Sequence, residues 1–361
     1  MADRFLSHLA ELLGGGSAIN VGMWTVGHEA DYNEWARIVN DESYSWQSIR
    51  RHLQRLENYG SDISPSLGEY SHPEEWHGKS GEVRLEFSGD DMTNAGSILS
   101  AFIESGNSVN LDVNSGKSLG IGVVPITTRD SWRVSAATAH LTDPPSNLQI
   151  LTDATVSRII LKDGRASGVV VGETAYYASK EVVMSAGALR SPQLLMLSGI
   201  GPIDVLESVG INCVKDLPVG QALRDHLCIP LLWEVDQSLA RPVDWVLDET
   251  AVVQHRQEFL ASGAGPLKNF YSPMPVVYTR DAGIVSWNAM NELSPAARRH
   301  LANPNLPLTE ICPVLPSFGP DKSNGYLRVS AFPMATQSTG SIKLHSASIK
   351  DQPLSELSTE L

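Results

Sequence analysis

Cysteine, positive charge and long apolar runs are all scarce in this sequence. The cysteines are Cys213, Cys228 and Cys312, and their spacing matches no metal site. Such an odd, sparse set predicts free thiols in a reducing compartment. No apolar run approaches the roughly 20 residues that a membrane span requires. The stretch after Met1 carries charge and lacks the apolar core of a signal peptide, so we expect a cytoplasmic protein.

Acidic residues outnumber basic ones by 41 to 27, which gives a net charge of −14. Nucleic acids and anionic membrane surfaces both attract basic proteins, so this balance argues against either partner. The length of 361 residues, the 29 glycines and the 42% hydrophobic content fit a globular enzyme with a large core. We expect two domains, interleaved in sequence.

The most informative stretch is 180–202, which predicts a strand, a tight turn and a helix. Residues 182–184 form the short apolar run of a buried strand. The small residues 185–188 would let a ligand approach the backbone. Ser191 would then begin the helix and Gly199 would end it. Such turns after buried strands are where α/β sheets bind ligands, although an ordinary strand-to-helix corner fits the same pattern.

Periodicity and turn residues predict further elements. Apolar and aromatic residues at helical spacing within 28–59 indicate helices that face the core. Residues 81–87 alternate as a half-buried strand does, and 93–105 has the pattern of a helix. Asp163-Gly164 between two apolar runs is typical of a β-hairpin.

Three motifs resemble signatures of the glucose-methanol-choline (GMC) oxidoreductases and occur in the family's order. Residues 13–35, which include Gly-Gly-Gly-Ser at 14–17, are similar to the first signature, and 180–202 to the second. Residues 217–226, Leu-Pro-Val-Gly-Gln-Ala-Leu-Arg-Asp-His, resemble a third segment. The resemblance implies FAD-dependent oxidation of a small-molecule alcohol by hydride transfer to the flavin, with a biosynthetic pathway as one setting.

The same resemblance implies a mixed α/β fold with two interleaved parts. A partial FAD-binding domain would comprise residues 10–30 and 128–232. A partial substrate-binding domain would comprise 31–127 and 233–361, built on an antiparallel sheet covered by helices. The family's first βαβ unit, with its G-x-G-x-x-G turn, has no counterpart in this sequence. We therefore expect weak FAD binding, and a partner chain that completes the sheet is one option.

Cofactor contacts in the first signature follow from the resemblance residue by residue. Gly15 and Ser17 match the loop that passes the flavin and its pyrophosphate. Asn20, Gly22 and Met23 match positions at the isoalloxazine ring. A flexible loop is the commoner use of adjacent glycines, but the family motif favours a binding turn.

The remaining cofactor contacts lie later in the chain. Val156 would bind the adenine end of FAD through its backbone, although most valines of this kind are plain strand residues. Ala186 and Gly187 belong to the small-residue turn of the second signature. Some family members attach FAD covalently through a histidine just before the signature asparagine. Ile19 stands there in this sequence, which implies non-covalent FAD.

The resemblance supplies no catalytic residue. The family's base is a histidine near the carboxyl terminus, paired with a second histidine or an asparagine, and we find no match for that pair. His345 is expected within a strand upstream of the base, His226 in a loop beside the flavin, and His28 in a structural hydrogen bond. His72 and His77 predict a surface loop rather than a metal site.

Functions of different classes therefore remain open. The first is an FAD-dependent alcohol oxidase or dehydrogenase. The second is a catalytically inactive, truncated remnant that serves at most as a structural or binding protein. A lyase on the same flavin fold is a third. Yellow colour and flavin absorbance in the purified protein would separate the second class from the others.

Overall fold

The computed structural model describes residues 11–60, 76–87, 93–236, 244–269, 274–281, 288–317 and 325–357. Its α-helices are α1 Glu29–Val39, α2 Trp46–Leu56, α3 Thr93–Glu104, α4 Ala136–His140, α5 Gly187–Leu197, α6 Ile203–Ser208, α7 Glu249–Ser262 and α8 Pro295–Leu301. Its strands are β1 Glu57–Tyr59, β2 Val83–Leu85, β3 Gly120–Val124, β4 Thr128–Arg129, β5 Trp132–Arg133, β6 Val156–Lys162, β7 Arg165–Val171, β8 Thr174–Tyr177, β9 Gln221–Leu223, β10 Ile229–Val235, β11 Met274–Thr279, β12 Thr309–Ser317, β13 Gly325–Pro333, β14 Gly340–Lys343 and β15 Leu354–Glu356. This content confirms the predicted mixed α/β fold with antiparallel sheets. None of the helices in these described ranges is long and apolar enough to cross a bilayer.

The described chain forms two compact units, each built from two separate stretches of sequence. The smaller unit combines 145–226 with 336–357, and the larger unit combines 11–144 with 227–335. Both are therefore interleaved in sequence. The assignment of cofactor binding and substrate binding to the predicted ranges remains a prediction.

The larger unit is built on a five-stranded antiparallel sheet in the order β10-β13-β12-β11-β3. Successive residues of a strand point to opposite faces of the sheet. The side chain of Val277 therefore lies on one face, and those of Val276 and Tyr278 lie on the other. Val277 joins the core that packs beneath α3, together with Tyr59, Leu85, Phe87, Leu99, Ile121 and Val123. Val276 and Tyr278 pack on the opposite face with Val113, Val124 and Cys312. We call this second surface the open face, because it is exposed along β10 at Pro230 and Leu232.

The smaller unit contains two three-stranded sheets, β6-β7-β8 and β15-β14-β9. Asp163 and Gly164 join β6 to β7 with φ angles of 51° and 75°. Positive φ at both central positions is the signature of a type I′ turn, so the predicted hairpin is confirmed. The apolar side of α5 packs on α6 and β14, where Met196, Leu206 and Ile342 are buried.

The stretch 180–202 departs from its prediction in two ways. Residues 181–185 pair with none of the described strands, and Val183 is 77% exposed. The expected strand is therefore wrong, because an apolar run needs a paired neighbour to become one. Helix α5 begins at Gly187 rather than Ser191, so Pro192 lies inside it. Gly199 follows the helix with φ 82°, as predicted for its end.

Helices α1 and α2 form where aromatic periodicity predicts them, but their aromatic stripe is only partly buried. Trp46 is buried, and its ring lies 5.5 Å from that of Tyr32. Trp35 and Ile38 are exposed. The prediction that this whole stripe faces the core is therefore wrong. Helical spacing predicts which residues share a face of the helix, but it does not predict what packs against that face.

Candidate functional site

A glycine turn opens the candidate site. Gly14 and Gly15 have φ angles of 93° and 52°, and a short 3₁₀ helix follows at Gly15–Ala18. A Cβ atom added at Gly15 or Gly16 would meet no heavy atom within 4 Å, so this side of the backbone is open. The same atom at Gly14 would lie 3.2 Å from Ser135 Oγ, which shows that the other side packs closely.

Arg133 holds the glycine turn in place. Its Nη1 donates to the carbonyl oxygen of Ser17 at 3.1 Å and to Asn20 Oδ1 at 2.7 Å. Its Nη2 donates to the carbonyl oxygen of Asn20. Ser17 Oγ in turn accepts from the backbone N–H of Ala136 at 2.9 Å. A planar guanidinium with several donors can fix two residues at once, so the turn has little freedom.

The predicted isoalloxazine residues continue from that clamp. Asn20 Oδ1 also accepts from the Gly22 N–H at 3.0 Å. Gly22 has φ 80°, and its carbonyl oxygen accepts from the N–H of Thr127 at 2.8 Å. Met23 forms an antiparallel bridge with Ile126 and packs against the apolar cluster of the open face. Met23, which follows the residues held by Arg133, therefore lies on the open face of the sheet.

The structure thus brings five of the predicted cofactor residues together in the larger unit. They are Gly15, Ser17, Asn20, Gly22 and Met23. Arg133, which links them, is missing from the prediction. Its signal is present in the sequence, since Arg133-Val-Ser135 resembles a family motif, but the partner lies 113 residues away.

The other predicted cofactor residues lie in the smaller unit. Ala186 precedes α5 without a side-chain cap, and residues 185–188 are exposed. Gly187 has φ 83°, and a Cβ atom there would meet nothing within 4 Å. Val156 begins β6 opposite Val171. Their roles as ligand contacts remain predictions.

The open glycine backbone is what a phosphate-bearing cofactor requires. Main-chain N–H groups can approach an anion only where no side chain intervenes, as at Gly15, Gly16 and Gly187. In the smaller unit by itself, the exposed start of α5 carries the partial positive charge of a helix N-terminus. Each of these features separately fits a phosphate-bearing cofactor such as FAD. Among the described residues, no cluster of His, Cys, Asp and Glu has an arrangement that could hold a metal ion.

Three histidines noted in the sequence have distinct surroundings. His28 is buried, and its Nδ1 accepts from the Ala30 N–H at 3.1 Å, which caps α1. Burial also lowers its pKa. The capping hydrogen bond confirms the predicted structural role. His226 is exposed beside Asp225, whose carboxylate accepts the His226 backbone N–H. His345 lies exposed beyond the end of β14, so its predicted place within the strand is wrong.

His77 is the largest departure from the sequence predictions. It is 3% exposed rather than part of a surface loop, and His72 lies outside the described residues. Its Nδ1 lies 2.8 Å from Glu57 Oε2 and its Nε2 3.1 Å from Asp112 Oδ2. Burial lowers the pKa of His77, but hydrogen bonds to Asp112 and Glu57 outweigh it and raise the pKa to about 9. Both ring nitrogens therefore donate at neutral pH.

Two buried side chains near His77, Glu57 and Asn114, also fix the segment that follows Met23. Glu57 Oε1 accepts from Trp24 Nε1 at 3.1 Å. Asn114 donates to the Trp24 carbonyl oxygen at 2.9 Å and accepts from the Val26 N–H at 2.8 Å. The buried network therefore reaches the chain directly after the predicted flavin contacts.

Comparison with known proteins gives a consistent result. The family model for GMC oxidoreductase matches residues 2–228. Ecdysone oxidase of Bombyx mori is 34% identical over 227 residues, which are 61% of this chain and 33% of that protein. The alcohol dehydrogenase (acceptor) of Pseudomonas putida is 34% identical over 230 residues, 61% of this chain and 40% of that protein.

A solved structure shares the fold. The FAD-dependent oxidoreductase from Chaetomium thermophilum superposes with a TM-score of 0.79 at 22% identity, covering 96% of this chain and 65% of that one. The chain spans about a third to a half of the length of the curated relatives it matches.

Proposed function

The chain belongs to the GMC oxidoreductase family, and we propose that it acts in the FAD-dependent oxidation of a small-molecule alcohol. The observation that carries this proposal is the Arg133 clamp, which holds the glycine turn with its backbone open and places Met23 on one face of the sheet. FAD, when bound, supplies the acceptor for the hydride of the alcohol. A biosynthetic role and a reducing, cytoplasmic location remain predictions.

Each part of the turn has a separate task in this proposal. Gly15 and the Ser17 backbone would bind the cofactor, because no side chain blocks their approach. Asn20 would present its amide nitrogen to the flavin, since Arg133 and the Gly22 N–H both occupy its Oδ1. Val156, Ala186 and Gly187 would serve the remaining parts of the cofactor.

Replacing Arg133 with methionine tests the cofactor proposal. The change removes three hydrogen bonds to Ser17 and Asn20 while keeping much of the side-chain volume. Hydrogen bonds from a charged group are worth about 1.5–3 kcal/mol when well placed, so we expect FAD affinity to fall roughly tenfold or more. Quenching of flavin fluorescence measures it. Arg129→Met, an exposed arginine on β4, is the matched control.

Two results would contradict the proposal. One is absence of FAD binding by the unaltered chain under saturating FAD, measured by absorbance after gel filtration. The other is equal loss of affinity in the Arg129 and Arg133 variants. Because the glycine turn alone supplies few contacts, we expect weak rather than stoichiometric binding by the 361 residues.

Turnover by these 361 residues alone is expected to be unmeasurable. Alcohol oxidation needs a base within about 2.6–3.2 Å of the substrate hydroxyl, and its absence costs about 10²–10⁴-fold in rate. His345, exposed after β14, is the last histidine of this sequence and the candidate to test. An assay with FAD, an artificial electron acceptor and primary alcohols measures this. Turnover that His345→Ala abolishes would identify that histidine as the base.

A further inference from the structure

The open face of the large sheet carries a group of polar side chains in register. Tyr278 lies opposite Glu310 on the neighbouring strand. One row along, Cys312 lies opposite Ser330. Directly opposed residues of antiparallel strands share a face, so these four side chains project to the same side as the apolar cluster. Cys312 and Tyr278 both belong to that cluster.

Two hydroxyl groups on this face lack partners. Tyr278 and Ser330 are 6% and 4% exposed, yet neither side chain forms a hydrogen bond within the described parts of the chain. Over the same residues, Trp76 Nε1 is the only fully enclosed side-chain nitrogen or oxygen without a partner. The Tyr278 and Ser330 oxygens are therefore not fully enclosed. Water can satisfy such hydroxyls in the free protein, and an oxygen atom of a ligand can take the place of that water.

The hydroxyls are also fixed in their protonation state. Burial raises the pKa of the Tyr278 phenol far above its ordinary value, so it stays neutral and can donate a hydrogen bond. Cys312 is different, because its thiol already donates to Glu310 Oε1 at 3.3 Å. Tyr278 and Ser330 thus provide the available hydroxyl groups of these two rows, beside the Glu310 carboxylate, whose Oε1 accepts from Cys312.

Apolar and charged neighbours define what could bind there. Met23, Met274 and Phe332 pack against the same cluster and provide an apolar surface. Glu310 and Arg328 contribute one formal charge of each sign, and Arg328 lies one row beyond Cys312, opposite Val314. These two charges cancel formally, so this part of the face favours an uncharged ligand with a largely apolar body.

The position of Met23 connects this face with the candidate cofactor site. Met23 is the last predicted isoalloxazine contact, and it packs directly on the cluster that contains Tyr278 and Cys312. Towards β3 the face is covered, since an added Cβ at Gly122 would lie 2.4 Å from the Asn110 carbonyl oxygen. Towards β10 it is open, because Pro230 and Leu232 are exposed. A ligand could therefore reach the two hydroxyls from the β10 side.

We infer that Tyr278 and Ser330 determine substrate specificity and select an uncharged alcohol whose apolar body carries at least one further oxygen atom. The inference rests on the proposed oxidation of an alcohol at this site. Tyr278 on β11 or Ser330 on β13 would hydrogen-bond the additional oxygen, while Met23, Met274 and Phe332 contact the body. A site built to pair a substrate hydroxyl discriminates against an analogue that lacks it, because its own polar groups then stay unpaired.

Two probes that differ by one hydroxyl test the inference. 1,4-Benzenedimethanol and 4-methylbenzyl alcohol have nearly the same size and apolar ring. Saturation-transfer NMR titration of the full chain, with and without FAD, gives a dissociation constant for each. We expect the diol to bind roughly fivefold more tightly or better, the effect of one net hydrogen bond. Tyr278→Phe, Ser330→Ala or both should reduce that preference to less than about twofold.

Controls separate specificity from folding and from the cofactor. Both variants should keep the unaltered affinity for 4-methylbenzyl alcohol, which a misfolded face would lose. Tyr177→Phe, an exposed tyrosine of the smaller unit, should keep the diol preference. Flavin fluorescence reports FAD binding independently, so loss of FAD binding with an intact diol preference would refute the oxidation proposal alone. Equal affinity for the two alcohols, no saturable binding of either, or a preference that survives both variants would overturn this inference.

Discussion

Replacing His77 with glutamine tests the buried network of the larger unit. Glutamine retains hydrogen-bonding capacity but not the positive charge that balances Glu57 and Asp112. Because the pKa of His77 is raised from 6.5 to about 9, its protonated form stabilises the fold by about 3 kcal/mol near neutral pH. Breaking a buried pair by removing one partner costs a similar amount, about 3–5 kcal/mol. We expect His77→Gln to lower the free energy of unfolding by about 3 kcal/mol at pH 6.5.

The contribution of His77 should vanish at high pH. Below pH 6.5 the imidazole is protonated in the folded and unfolded states, and the full stabilisation is present. As the pH rises through about 9, the folded state also loses its proton and the stabilisation disappears. The difference between the original chain and His77→Gln should therefore be largest at and below pH 6.5 and shrink steadily as the pH rises towards about 9.

Urea unfolding followed by tryptophan fluorescence measures this difference. All eight tryptophans lie outside 145–226 and 336–361, so their emission reports the larger unit. His52→Gln, the same substitution at an exposed position of α2, is the control and should change stability by less than about 0.5 kcal/mol. A His77→Gln loss as small as that of the control, or a loss independent of pH, would refute the charge assignment.

Two further predictions concern the packing of the larger unit. Gly78→Ala would place a Cβ atom 1.9 Å from the Gln54 carbonyl oxygen, so we expect urea unfolding to show a free energy of unfolding lower by about 2–3 kcal/mol. Gly96→Ala in α3 would place its Cβ atom where nothing lies within 4 Å, so we expect it to be neutral or to stabilise the fold by about 0.5–1 kcal/mol. Equal effects of the two would contradict this packing. The hydrogen bond from His300 to Asp31 raises the pKa of His300, so Asp31→Asn should lower that pKa in an NMR titration, and an unchanged pKa would show that the pair does not form in solution.

Features set by neighbouring residues could be predicted from the sequence. The Asp163-Gly164 turn follows from two residues that tolerate positive φ between apolar runs. Helix α3, at Thr93–Glu104, follows from apolar spacing, and Gly199 stops α5 because glycine adopts φ 82° without strain. Each of these outcomes depends on a few consecutive side chains.

Features set by distant partners could not be predicted in the same way. The partners of His77 are Glu57 and Asp112, which lie 20 and 35 residues away. Nothing local distinguishes His77 from an exposed loop histidine until both carboxylates are placed beside it. The strand predicted at 181–185 does not form, for a related reason. A strand needs a paired neighbour, and the apolar residues of this segment do not specify one.

Two hydrogen-bond networks of the larger unit, one around Arg133 and one around His77, together explain how a glycine turn with an open backbone is held in a fixed position. Arg133 holds the chain at Ser17 and Asn20, ahead of Met23. The Glu57 and Asn114 side chains hold it at Trp24, directly behind. Met23 itself is bridged to Ile126, so the segment is restrained on both sides and in the middle. A functional backbone segment needs such support from surrounding residues, because its own open glycines provide none. Stability measured at His77 and ligand affinity measured at Arg133 therefore probe opposite ends of one supported segment.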